Sequence, residues 1–202
     1  MRRNVSWLEM VRVLRYHNTN CFFVESTLDH KLLAIDAGWP STLHEYQREM
    51  KKIGLKYQDI AWAIVTHFHM DHAGLITDFI AAGITCIVFE NQMRAIDAME
   101  KTILKNNKDY RAINKPKLIT WQISDSREGL GKIGIAGEVL RTEGHSPDSI
   151  SFLSDQKEVI IGDLHPIEFV MPDDEKSNQS WDLILAKGGE NIFPSHANAF
   201  RL

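Results

Sequence analysis

Residues 66–74 read Thr-His-Phe-His-Met-Asp-His-Ala-Gly and follow directly on the apolar run Ile60-Ala61-Trp62-Ala63-Ile64-Val65. A buried imidazole needs its own hydrogen-bond partner. Three histidines and an aspartate packed this tightly at the end of an apolar run are therefore hard to explain by packing. Imidazole nitrogen and carboxylate oxygen are the usual ligands of Zn²⁺ at catalytic sites. A strand running into a turn can aim His67 and His69 at one ion, while Asp71 and His72, further round, reach a second. The cluster demands a fold in which a strand ends here and other segments converge on its tip.

Three later segments meet that demand. His145 lies in Thr142-Glu143-Gly144-His145-Ser146-Pro147, Asp163 in Ile160-Ile161-Gly162-Asp163, and His196 in Ile192-Phe193-Pro194-Ser195-His196. Each follows an apolar, strand-like stretch, and in open α/β architectures ligands gather beyond the carboxyl ends of strands.

The ordered set His-x-His-x-Asp-His, Gly-His-Ser-Pro, Gly-Asp and Pro-Ser-His resembles the metallo-β-lactamase superfamily of metal-dependent hydrolases, over nearly the whole chain from Asn20 to His196. The resemblance implies an α/β (α+β) fold, an αββα sandwich of two mixed β-sheets flanked by helices. It implies a first metal held by His67, His69 and His145, a second held by Asp71, His72 and His196, and Asp163 bridging the two. Two Zn²⁺ are the expected cofactors, with Mn²⁺ or Fe²⁺ as substitutes. Asp71 and Asp163 then carry the catalytic roles, on a metal-bridging hydroxide. Asp148 departs from the pattern, since many members have Gly after the Pro; it removes no ligand but sits beside one.

Antibiotic-hydrolysing members typically lack the Asp matching Asp163, so the chain is more similar to the glyoxalase II, lactonase and phosphodiesterase branches. Six residues follow His196, which leaves no room for the helical domain that glyoxalase II uses for its glutathione thioester. Redox di-iron members typically carry Glu where this chain has His69. The expected function is hydrolysis of a small ester, thioester or lactone. A phosphodiesterase of the same fold is the nearest alternative, and a non-catalytic metal sensor or redox protein is the alternative of another class.

Composition fits one enzyme domain over residues 1–202: a chain 44% hydrophobic can bury one substantial core. A net charge of -4 gives no global field for nucleic acid or anionic membrane. No apolar run approaches the roughly 20 residues that span a bilayer. Met1 to Trp7 has two Arg but no apolar segment, so no signal peptide is expected. Cys21 and Cys86 read as buried free thiols. A cytoplasmic enzyme with a small-molecule substrate, possibly anionic, is the expectation.

Local patterns fill in the elements. Val11–Arg15, Cys21–Val24, Leu32–Ile35 and Ile84–Phe89 read as strands, with further strands near 118–122, 137–142, 149–153 and 157–162. Thr42-Leu43-His44-Glu45 resembles a capping box, opening a helix with Leu43, Tyr46, Met50 and Ile53 on one face and Gly54 as its stop. Leu75, Ile76, Phe79 and Ile80 give a second apolar helix face, and a last helix is expected near 178–187. Segment 91–117 carries seven basic and three acidic residues, a net +4 against -8 for the rest. It is either a solvated outer helix, with Met93, Ile96, Met99, Ile103 and Leu104 inward, or a helical flap beside the active site that favours anionic substrates. His165 is a candidate proton donor or an outer histidine. Asp36 is either an orienting partner for a ligand histidine or a turn residue. His17, His30 and His44 receive no role.

Overall fold

The computed structural model describes residues 10–108 and 110–202. The stretch read for a signal peptide, Met1 to Trp7, and Asp109 of the charged segment lie outside the described residues. The first sheet runs in chain order: β1 (Val11–Tyr16), β2 (Thr19–Glu25), β3 (Leu32–Ile35), β4 (Ile60–Ile64), β5 (Thr85–Phe89) and β6 (Ile119–Trp121). β1 to β3 form an antiparallel meander, and β3 to β6 are parallel. Parallel neighbours need a crossover. These are α1 (Leu43–Lys52), the short pair α2 (Met70–Ala73) and α3 (Ile76–Ala81), and α4 (Ala95–Asn106).

After α5 (Ser126–Lys132) the second sheet follows: β7 (Gly137–Arg141), β8 (Ile150–Ser154), β9 (Glu158–Gly162), β10 (Asn191–Pro194) and β11 (Phe200–Arg201). Its order is β11-β10-β9-β8-β7, antiparallel except for the β9–β10 pair, which α6 (Glu175–Ala186) connects.

Side-chain alternation builds the layers. Leu33 and Ile35 of β3 point into a core shared with Phe152, Ile160 and Phe193 of the other sheet. Leu32 and Ala34 point the other way, against Tyr46 and Met50 of α1 and Phe79 of α3. On the second sheet Ile160 faces inward, while Val159 and Ile161 pack against Trp181 and Ile184 of α6. Strands covered on both faces read as continuous apolar runs, as β3 and β9 do. The result is the expected αββα sandwich of two mixed sheets. Among the described residues no helix is long and apolar enough to cross a membrane.

Three local expectations need correction. Thr42 is the N-cap of α1, but its hydroxyl donates to the Trp39 carbonyl at 2.6 Å and leaves the helix amides uncapped. The hydroxyl is captured by the turn before it, so no capping box forms. Leu104 faces solvent; the buried face of α4 is Ile96, Met99, Glu100 and Ile103. Glu100 is buried because its carboxylate accepts the Ile113 amide. The last helix starts at Glu175, where the Asp174 side chain accepts the Ser177 amide at 3.1 Å.

Candidate metal centre

The strand tips bring all seven expected residues together. Side-chain atoms of His67, His69, His145 and Asp163 form one group, and those of Asp71, His72 and His196 another, each with its donor atoms within 4.8 Å of one another. Asp163 joins them. Its Oδ2 lies 3.8 Å from His67 Nε2 and 3.5 Å from His145 Nε2, and its Oδ1 lies 3.3 Å from both His72 Nε2 and His196 Nε2. His69 presents Nδ1 to His145 Nε2 at 3.1 Å. Asp71 Oδ2 lies 3.4 Å from His72 Nε2 and 3.2 Å from His196 Nε2.

Gly162 lets Asp163 reach this place. It has φ +59, and a Cβ there would sit 2.8 Å from the Thr66 side chain. Only a residue without a side chain lets β9 turn so close to the His67 loop.

The donor set has atoms left over. Among the described residues, His67 Nε2, His72 Nε2 and Asp163 Oδ1 are buried and make no well-formed hydrogen bond, although His72 Nε2 and Asp163 Oδ1 face each other at 3.3 Å. Such orphans cost about 1–3 kcal/mol each, and a divalent cation between the two groups would satisfy all three. The electrostatics agree. Burial, then the neighbouring His72, push His67 far below its ordinary pKa, so its imidazole is neutral and free to donate a lone pair. Burial raises the carboxyl of Asp163, but the nearby histidines, His72 first, outweigh it and hold the group at about 2. Asp71 is likewise held at about 2, against its own burial, by contact with His72. Burial lowers His72, but Asp36, Asp163 and Asp71 together raise it well above the ordinary histidine value.

A hydrogen-bonded shell fixes the donors. Asp36 is wholly buried with φ +68, and its Oδ2 lies 2.8 Å from His72 Nδ1. Its Oδ1 accepts from the Thr66 amide at 2.7 Å and the Thr66 hydroxyl at 3.0 Å. Both readings of Asp36 hold: it is a left-handed turn residue that orients a histidine of the cluster. Thr66 Oγ1 in turn lies 3.1 Å from His67 Nδ1. The Thr19 hydroxyl donates to Asp71 Oδ2 at 3.2 Å, and His196 Nδ1 contacts the Asn18 carbonyl at 2.7 Å. Asn20 clamps the His196 loop, donating through Nδ2 to the carbonyls of Pro194 and Ala197.

Asp148 accepts the amide of Phe68, between His67 and His69, at 2.7 Å and the Ser146 hydroxyl at 2.8 Å. The residue that departs from the family pattern thus ties the His145 loop to the His67–His69 loop. Gln92 braces the same junction through the Val65 carbonyl at 2.9 Å. Thr19, Asn20 and Gln92 carried no sequence signal, because each acts by side-chain contacts across long stretches of chain.

Two cavities open on the cluster. The smaller, about 230 Å³, is lined by His145, Asp163, His165 and His196. His165 is exposed there, and its carbonyl accepts from the Trp181 indole at 2.8 Å. The larger, about 1000 Å³, reaches His69 and Asp71. Its wall includes Arg94, Ala95, Ala98, Met99 and Thr102 of the charged segment, but not Lys101, Lys105 or Lys108, which face solvent elsewhere. Arg111 and Lys115 are taken up by Asp78 and Asp97. Of the remaining histidines, His17 pairs with Glu45 at 2.9 Å and His30 with Glu25 at 2.7 Å.

Residues 14–196 match the metallo-beta-lactamase superfamily. No curated protein matches the chain by sequence. Among solved structures, the BLEG-1 B3 metallo-beta-lactamase superposes with a TM-score of 0.69 at 17% identity, over 95% of this chain and 94% of that one. TTHA1623 in a di-iron-bound form gives 0.67 at 20% identity, over 96% and 94%. A metallo-beta-lactamase family protein of Thermus thermophilus gives 0.68 at 16%, over 95% and 75%. At these identities the structures speak for the fold alone. The match to the family covers most of the chain, and the chain belongs to the metallo-beta-lactamase superfamily.

Proposed function

We propose that this superfamily member is a metal-dependent hydrolase of a small ester, thioester or lactone, working with two divalent ions, zinc in the first instance. The observation that carries the reading is the sorting of seven donors into two groups that share one carboxylate. His67, His69, His145 and Asp163 would hold one ion, and Asp71, His72, His196 and Asp163 the other. When bound, the ions would lower the pKa of a shared water towards about 7 and polarise the carbonyl oxygen of the substrate.

The chain's own residues set this up. Asp163 turns one oxygen to each group. Asp71 is steadied by the Thr19 hydroxyl. Asp36 holds His72 so that Nε2, not Nδ1, faces the cluster. The two cysteines offer no alternative nucleophile: both are buried, and burial pushes the Cys86 thiol up to about 12 and Cys21 well above its ordinary value. In this proposal the attacking group is water.

The test is elemental analysis of the purified protein together with a screen of thioesters, lactones and phosphodiesters at known ion content. Hydrolysis that scales with two ions per chain supports the reading. Turnover of phosphodiesters alone would replace it with the phosphodiesterase alternative. A protein that loads both ions and hydrolyses nothing would overturn it, as would a covalent acyl-enzyme trapped during turnover. Elemental analysis also shows which metal the protein carries, a live question given the di-iron neighbour.

A further inference from the structure

β1 and β2 pair Tyr16 with Thr19, so His17 and Asn18 form a two-residue turn, His17 with a left-handed φ of +51. From this hairpin tip, contacts reach each of Asp71, His72 and His196. The Thr19 hydroxyl donates to Asp71 Oδ2 at 3.2 Å. His196 Nδ1 lies 2.7 Å from the Asn18 carbonyl. A carbonyl can only accept, so this contact puts the proton on Nδ1 and leaves the Nε2 lone pair facing Asp71 and Asp163.

Tyr16 reaches His72 at one remove. Its hydroxyl accepts the Trp39 amide at 2.7 Å, and a Cβ on Gly38 would lie 1.6 Å from it. The phenol therefore fills the inside of the turn that follows Asp36. That turn grips the His72 segment: the Ala37 amide donates to the His72 carbonyl, and the Gly74 amide to the Gly38 carbonyl at 2.8 Å. Asp36 itself orients the His72 ring. Among the described residues, no hydrogen bond runs from positions 16–19 to His67, His69 or His145, which contact Thr66 and one another instead.

The tip is seated on the start of α1. His17 Nε2 lies 2.9 Å from Glu45 Oε2, and its ring meets those of Tyr16 and Trp39 edge to face, with centroids 5.1 and 6.5 Å apart. Both partners of the ion pair are half-exposed, so their charges contribute little. The ring contacts make the seat.

We propose that residues 16–19 act as one brace for the ion held by Asp71, His72 and His196, and set its affinity independently of the ion held by His67, His69 and His145. Tyr16, His17 and Thr19 are positioning residues in this scheme, and none is a ligand. The ion-binding part rests on the two-ion reading; the fixing of His196 by the Asn18 carbonyl does not.

Stepwise Zn²⁺ titration against a chelator of known affinity tests the brace. Thr19→Val keeps the shape and removes the hydroxyl; it should weaken one of the two binding steps by roughly tenfold or more, as loss of an outer partner typically does. Thr19→Ser should restore that step. Tyr16→Phe should weaken the same step several-fold, as should His17→Gly, which suits the left-handed turn and frees the tip from α1. Ile184→Val, a core change under α6, lowers stability without touching the tip and should move neither step. Thermal melts confirm that each variant folds.

Equal weakening of both steps, or a loss in Ile184→Val as large as in the tip variants, would mean general loosening and overturn the brace. Ion-free protein labelled with ¹⁵N at histidine gives a second arm. His196 should carry its proton on Nδ1 in the native chain and lose that fixed tautomer in His17→Gly; a tautomer indifferent to the change would also overturn the brace. A shifted tautomer in a protein that never loads a second ion keeps the brace and removes the two-ion reading. Two ions held with native affinity in every tip variant do the reverse.

Discussion

Replacing Asp36 by Asn separates the oriented histidine from the rest of the site. Asn tolerates the left-handed backbone at this position (φ +68) and fills the same volume. With the amide oxygen placed to accept from the Thr66 amide and hydroxyl, the NH₂ group faces His72 Nδ1, which lies 2.8 Å away in the native protein. Two donors cannot share that contact, so His72 must move its proton to Nε2. Nε2 is the atom aimed at Asp71 and Asp163, and protonated it has no lone pair for an ion. Flipping the amide moves the conflict to the Thr66 amide at 2.7 Å.

One charge-assisted bond in a fully buried setting is lost either way, about 1.5–3 kcal/mol, or roughly 3–12 °C in Tm for a chain of this size. Loss of such an orienting partner typically costs 10–100-fold in metal affinity. That loss should fall on the Asp71–His72–His196 group, leaving the His67–His69–His145 group close to native. Stepwise titration against a chelator of known affinity reads both constants. If both steps are unchanged in Asp36→Asn, the orienting argument is wrong.

Further outcomes follow from the same geometry. Asp71→Ala and Asp163→Ala should each cut turnover by roughly two orders of magnitude or more with the fold intact by circular dichroism, and Asp163→Ala alone should weaken both ion-binding steps. Asp148→Ala leaves the buried Phe68 amide without its acceptor, so urea unfolding should show a loss of about 1–3 kcal/mol. Because the folded pKa of His72 lies well above its ordinary value, an ion must displace a proton there. Affinity of that group should therefore rise with pH, roughly tenfold per unit below the His72 pKa, as followed by titration from pH 6 to 8. By the same sign, the stability that His72 gives the ion-free protein is complete below about 6.5 and fades as pH rises through the higher folded value, which thermal melts would show.

The parts of the site that are local in the chain are legible from the residues alone. His67, His69, Asp71 and His72 sit on one strand tip, and His145, Asp163 and His196 each follow an apolar run, so spacing announces them. Their assignment to two metals came from the family resemblance; in the fold their donor atoms gather into two neighbouring groups, with Asp163 counted in the first. The shell was not legible. Thr19 meets Asp71 across 52 positions, and Asn20 meets Ala197 across 177. A lone Thr or Asn in a strand gives no pattern for such contacts.

α5 carries little helical signal because Gly129 and Gly131 lower its helix propensity and only one large apolar residue, Leu130, is buried from it. The two-residue β11 is too short to show a period. Segment 91–117 misleads for a different reason. Net charge counts every lysine alike, whereas only Arg94 among its basic residues lines the cavity.

The position of the cluster relative to the two sheets gives the shell a second consequence. His67, His69, Asp71 and His72 hang from β4 of the first sheet, and His145, Asp163 and His196 from β7, β9 and β10 of the second. Each donor group therefore draws on both sheets. The shell crosses the same seam: the Asn20 amide of β2 donates to the Ser195 carbonyl at 2.7 Å, and the Ile150 amide of β8 to the Thr66 carbonyl at 2.8 Å. An ion held by either group would act as a strut between the sheets, and ligand binding to the folded state alone adds to its stability. Without ions, three buried atoms along that seam make no well-formed hydrogen bond among the described residues, so sheet docking and ion binding are two faces of one equilibrium. The seam is where removal of ions should first loosen the structure, ahead of the α1–α3 face, whose apolar packing involves none of the donors. Amide exchange that speeds up on chelation at Asn20, Phe68 and Ile150 while Tyr46 and Phe79 stay protected would show this ordering. Uniform acceleration across both regions would mean that the ions stabilise the whole domain and not the joint between its sheets.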